Sequence, residues 1–179
     1  MRSLASQTDE ELGGPLSVLV RQKRDHVKLD RLLDALVTAT DGPEQEAHLH
    51  RIARLVFPHA FAEESVLRPV VRRLLPDGQA LTLRIEQERQ EVNELWTRLE
   101  EGVLPAAERS AVIDRLVDVL REDVRDEEDQ LLPRLQEPVD APRLRRLGLA
   151  WEAVRRTAPT RPHPVVSRRP PATPWPACR

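Results

Sequence analysis

Apolar residues recur every three to four positions along four long stretches of the chain, and no stretch carries the strict alternation of a strand. The first runs from about Pro15 to Ala39, with Leu19, His26, Leu29, Leu33 and Leu36 on one stripe. Asp41-Gly42-Pro43 breaks the pattern, and Pro43 suits the first turn of a second helix. That helix carries Leu49, Ile52, Val56, His59, Glu63, Leu67, Val70 and Leu74 on its stripe, and Pro58 inside it is expected to kink it. A third helix from about Gln79 to Glu101 has Ile85, Glu88/Arg89, Val92, Leu95/Trp96 and Leu99 on its stripe. A fourth, starting near Ala106, turns Val112, Leu116, Val119/Leu120, Asp123, Glu127 and Leu131 inward. Four amphipathic helices with short connections predict an all-α, up-down-up-down four-helix bundle.

The pattern divides the chain into a flexible N-terminus (1–14), the bundle (15–137), a short C-terminal helix (138–157) and a Pro/Arg-rich disordered tail (158–179). Leu144, Leu147, Trp151 and Val154 would face the short helix toward the bundle. In the tail, composition argues against an ordinary core, and PxxP-like spacings in RPHP and RRPPATPWP suit a protein partner.

One polar motif occurs twice. HAFAEESVLRP (59–69) aligns with DVRDEEDQLLP (123–133), superposing Glu63-Glu64 on Glu127-Glu128, Leu67 on Leu131 and Pro69 on Pro133. The helix before each copy repeats too: Leu29, Leu32, Leu33 and Leu36 fall on Val92, Leu95, Trp96 and Leu99, and His26 falls on Arg89. The chain therefore reads as two helical hairpins of one design, His…HisxxxGlu followed by Arg…AspxxxGlu.

His59 and Glu63 stand one helical turn apart and point to the same side. With His26, Asp123 and Glu127 they lie on apolar stripes of different helices. Two imidazoles and three carboxylates inside a bundle need compensation, and a metal ion supplies it; imidazole with carboxylate suits iron, manganese or zinc. Glu64, Glu128 and Asp129 read instead as a solvated face, and His48 and His50 point off the stripe.

Composition narrows this only a little. A net charge of −2 offers no general attraction to nucleic acid or an anionic membrane, and no apolar run approaches a membrane span or a signal peptide. A single cysteine, Cys178, excludes an internal disulfide, so a cytoplasmic location is expected. The absence of tyrosine removes a tyrosinate ligand from consideration.

The lone histidine on the first helix and the HxxxEE…LxP motif on the second (His26, His59, Glu63, Glu64, Leu67, Pro69) resemble the hemerythrin-like (HHE) domains, over residues 16–137. The resemblance implies a non-haem centre, usually of two irons, with histidines from each hairpin and carboxylates shared between the ions. It places His26 and His59 on one metal, with Glu63 and Glu127 as shared carboxylates. The second hairpin departs from the family pattern, since Arg89 and Asp123 stand where histidines are general.

Three functional readings follow from these residues. The first is an asymmetric metal site (His26, His59, Glu63, Asp123, Glu127) that handles or senses iron, dioxygen, peroxide or nitric oxide, with Arg89 in place of a second ion. The second is a metal-free bundle serving as an interaction module, its carboxylates held by Arg89. The third is a di-metal carboxylate oxygenase in which Glu88 completes a two-histidine, four-carboxylate set. No acid, base or nucleophile stands apart from these groups, so an enzymatic role stays open.

Overall fold

The computed structural model describes residues 1–40, 42–101 and 103–160, apart from the side chains of Glu88 and Glu101. The predicted tail therefore lies outside the described residues beyond position 160, as does the Glu88 side chain.

Helix α1 (Val18–Thr38) opens on Ser17, whose hydroxyl accepts a hydrogen bond from the Leu19 amide at 3.2 Å. Helix α2 (Gly42–Ala62) contains Pro58 and runs on past it. The irregularity comes one turn later, where Glu63–Leu67 form a π turn before α3 (Arg68–Leu74). Helix α4 spans Gly78–Glu101, and α5 spans Ala106–Asp126. A second π turn, Glu127–Leu131, leads into α6 (Leu132–Gln136). Last comes α7 (Ala141–Thr157), capped by Asp140, whose carboxylate accepts from the Arg143 amide at 2.8 Å.

Both π turns occupy the repeated motif, and the shared proline explains why. Pro69 and Pro133 each press a ring against the carbonyl four residues earlier and offer it no N–H. The preceding turn widens, so the Arg68 amide reaches the Glu63 carbonyl and the Leu132 amide reaches that of Glu127, five residues back in each case. Wide turns thus begin at the two glutamates that sequence places on the inner stripe.

Helix α1 packs on α2 and α4 on α5, while contacts of α1 with α5 and of α3 with α4 close the bundle. Among the described residues there is no strand. The core consists of two apolar clusters. One holds Leu29, Leu33, Leu36, Leu55, Phe57, Val92, Leu95, Trp96, Val119 and Leu120. The other holds Leu19, Ala62, Leu67, Val70, Ile85, Leu131, Leu132 and Trp151. On each of four helices the polar stripe residue falls between them: His26 after Leu19 and before Leu29, His59 between Phe57 and Ala62, Arg89 between Ile85 and Val92, Glu127 between Leu120 and Leu131. The polar centre is a layer between two hydrophobic ones.

Residues 1–14, read from sequence as flexible, form a short turn at Leu4–Ser6 and bury Leu4 and Leu12 completely in the second cluster. The segment is too short and polar for a periodicity argument, and its two leucines gain their partners only from helices distant in the sequence. Gly78 shows a tighter constraint. A Cβ there would overlap the Val71 carbonyl, so α4 can start against α3 only without a side chain. Gly78→Ala is expected to lower the unfolding free energy by about 1–3 kcal/mol in urea titration. An unchanged midpoint would mean that the α3–α4 turn yields freely.

Candidate metal centre

His26, His59, Glu63 and Glu127 each turn a donor atom to one point, and these four atoms lie within 4.8 Å of one another. All four residues are buried, at 4%, 9%, 3% and 2% exposure. The imidazole rings stand 5.3 Å apart, tilted by 48°. His26 Nε2 lies 3.2 Å from Glu127 Oε2, and His59 Nε2 lies 3.2 Å from Glu63 Oε1. These contacts are close but badly aligned, leaving His26 Nε2 and Glu63 Oε1 buried without a hydrogen bond. Such orphaned atoms are costly in an apolar interior.

The other face of each ring is held by a carboxylate. His26 Nδ1 is 2.9 Å from Glu128 Oε1, and His59 Nδ1 is 3.2 Å from Asp25 Oδ2. In a neutral ring, donation from Nδ1 to a carboxylate leaves Nε2 with its lone pair toward the centre, the usual arrangement behind a metal-binding histidine. Neither partner is evident from sequence. Glu128 reads as solvated because it follows Glu127 around a regular helix by 100°; the widened turn brings both to His26. Asp25 sits beside His26 in sequence, yet serves the histidine of the neighbouring helix. The available signal was the paired acid in each motif and an acid next to the lone histidine.

Arg89 enters from α4 on the opposite side. Its Nη2 donates to Glu63 and, at 2.9 Å, to Glu127 Oε1, while Nη1 donates to the Ala60 carbonyl at 3.0 Å. One guanidinium thus spans the two carboxylates that face the histidines. Asp123 is half-buried and lines the adjoining cavity, outside the group of four donors. His48 is half-buried and His50 exposed, and neither belongs to the group of four donors.

The cavity has a volume of about 550 Å³. Its lining mixes apolar residues, among them Leu55, Phe57 and Val92, with His26, His59, Arg89, Asp123 and Glu127 and further charged groups such as Arg68 and Glu86.

These surroundings set the charges. Burial opposes protonation of His26, but the close carboxylates of Glu127 and Glu128, one at each ring nitrogen, outweigh it and raise the ring to about 9. Burial acts on His59 too; Asp25 resists it, the His26 charge adds to it, and the ring is held below its ordinary value. For Glu127, burial favours the neutral acid, yet the His26 ring beside it and the charges of Arg89, His26 and His59 bring it down to about 2. In the metal-free site one cationic ring and one guanidinium therefore face two carboxylates.

A pH dependence follows for the metal-free protein. The folded pKa of His26 near 9 exceeds the ordinary 6.5, so its stabilisation is complete below pH 6.5 and lost as pH rises through 9. The depressed Glu127 works in reverse, complete above 4.5 and lost as pH falls through about 2. Urea midpoints are expected to fall from pH 6.5 to 9, and His26→Gln is expected to flatten that alkaline arm. A wild-type arm already flat would mean a neutral His26 in the folded state.

The donor set tests well against a cation. Two nitrogen and two carboxylate donors converge, two of them without hydrogen bonds, and outer carboxylates orient both rings; this fits a non-haem metal site. A family model described as Hemerythrin HHE cation binding domain matches residues 18–135, more than half of the chain. Neither a curated protein nor a solved structure gave a match.

Proposed function

The chain belongs to the hemerythrin HHE cation-binding family, and from that premise we propose that it binds one metal ion, iron in the first place, with His26, His59, Glu63 and Glu127 as ligands. One observation carries the count: Arg89 grips the second oxygens of the same two carboxylates, where a second cation would otherwise be needed. Guanidinium keeps its charge at any physiological pH, so it offsets one of the two negative charges permanently. Manganese and zinc accept the same ligand set.

A bound iron would supply redox chemistry and an open coordination position for dioxygen, peroxide or nitric oxide. The protein's own part is to hold the ligands and exclude water. Asp25 and Glu128 fix the two rings, Arg89 fixes the two carboxylates, and the adjoining cavity gives a small molecule access to the histidines. Uptake of an ion requires a neutral His26, so binding releases its proton and strengthens as pH rises toward 9. Asp123, on the cavity wall, is placed to meet a ligand or an exchanging water rather than to complete the group of four. Handling or sensing of small oxidants suits this design. Among the described residues no helix is long and apolar enough to cross a membrane, which is compatible with a cytoplasmic role.

Metal content per chain, measured on protein purified without chelator and loaded anaerobically with ferrous iron, tests the reading. One ion in wild type and none in His59→Ala is the expected result. Two ions would favour a di-metal oxygenase that recruits Glu88. No ion would favour the metal-free interaction module, a reading supported by the way His26 and Arg89 already balance Glu63 and Glu127.

A further inference from the structure

Helix α7 lies beyond the residues that the family model matches, yet it reaches the candidate centre. Trp151, fully buried, meets the His59 ring edge-on at 5.5 Å and 85°. The Arg155 guanidinium lies over the Trp151 ring at 5.2 Å and within 3.5 Å of Asp25 Oδ2. That same Asp25 oxygen faces His59 Nδ1 at 3.2 Å. The contacts close into a loop: His59 to Trp151, Trp151 to Arg155, Arg155 to Asp25, and Asp25 back to His59.

Two further features fix α7 against α1. Glu152 pairs with Arg21 at 2.9 Å, and Gly148 lets the helix backbone sit against the Leu16 carbonyl where any Cβ would collide. Helix α2 has its own reason to need support here. Pro58 directly precedes His59 and denies the helix one backbone hydrogen bond, so α2 alone holds the histidine less firmly than a regular turn would.

We infer that Trp151 and Arg155 are positioning residues for His59, acting from outside the family domain. Trp151 blocks rotation of the imidazole, and Arg155 holds Asp25 as a charged acceptor for Nδ1–H, so that Nε2 stays aimed at Glu63. Orientation of a ligand by such outer partners governs metal affinity. The inference rests on the metal-binding reading above.

Cobalt(II) is the probe, since its visible bands report coordination geometry. Titrations of the full chain would compare wild type with Arg155→Gln, Trp151→Leu, Trp151→Phe and His59→Ala. Arg155→Gln is expected to weaken cobalt about tenfold or more and to shift the bands, while thermal unfolding of the metal-free protein stays unchanged. Trp151→Leu should show the same defect, and Trp151→Phe, which keeps an aromatic edge, should restore most of the affinity. Wild-type affinity and bands in Arg155→Gln and Trp151→Leu, with binding lost in His59→Ala, would overturn the positioning role and leave the metal site standing. A wild-type chain that takes up no cobalt would overturn both.

Discussion

Arg89→Ala is expected to cost the metal-free protein about 3–5 kcal/mol, the usual penalty for removing one partner of a buried charge network. Glu63 and Glu127 are almost wholly buried, and Arg89 is the group that spans them. Without it, His26 must serve alone against two carboxylates, and the Ala60 carbonyl loses its donor. Urea unfolding of chelator-treated protein measures the loss. Arg89→Lys should recover only part of it, because an ammonium cannot offer the guanidinium's planar array of donors to three acceptors at once. Added ferrous or zinc ion should recover more in Arg89→Ala than in wild type, since an ion can occupy the space and supply the charge. A loss below about 1 kcal/mol would show that water already solvates the carboxylates or that a proton neutralises one of them.

The second large effect is expected at Glu127→Gln. This carboxylate touches both His26 and Arg89, and together with Glu128 it outweighs the burial that would otherwise strip the His26 proton. Removing the charge should drop the His26 pKa from about 9 back toward or below 6.5, read by following the imidazole signals by NMR through a pH titration. The alkaline arm of the stability profile should vanish with it. Ion binding should fall further than the roughly 10–100-fold typical of a lost outer partner, because here a ligand itself is changed. Iron bound as tightly as in wild type would remove Glu127 from the ligand set. An unmoved His26 titration would mean that Glu128 alone sustains the charge.

The two variants separate two roles of one layer. Arg89→Ala acts on the metal-free balance of charge, whereas Glu127→Gln acts on that balance and on the ion together. Comparing them with and without metal therefore distinguishes a working metal site from a charge network inherited without its ion.

How far these residues were legible in the chain depends on the kind of interaction involved. The four-helix architecture was readable because apolar spacing is a local property, with a period dictated by backbone geometry alone. His26, His59, Glu63 and Glu127 stood out because a polar group on an apolar stripe contradicts its surroundings. The repeated motif added the expectation that the two halves face each other. Asp123 carried the same signal, yet the structure sets it on the cavity wall: the stripe specifies a side of the helix, not a depth along the bundle.

Sequence by itself thus determined the helices, the inward side of each and the types of donor available, all consequences of periodicity and side-chain chemistry. Only the tertiary structure decided which donors meet. Asp25 reaches His59 from another helix, Glu128 reaches His26 because a π turn widens ahead of Pro133, and Arg89 spans carboxylates contributed by two hairpins. Trp151 and Arg155 reach the same histidine from a helix beyond the family domain. Each of these contacts is set by the relative depth and rotation of packed helices, a quantity summed over the whole core that no short window of sequence contains.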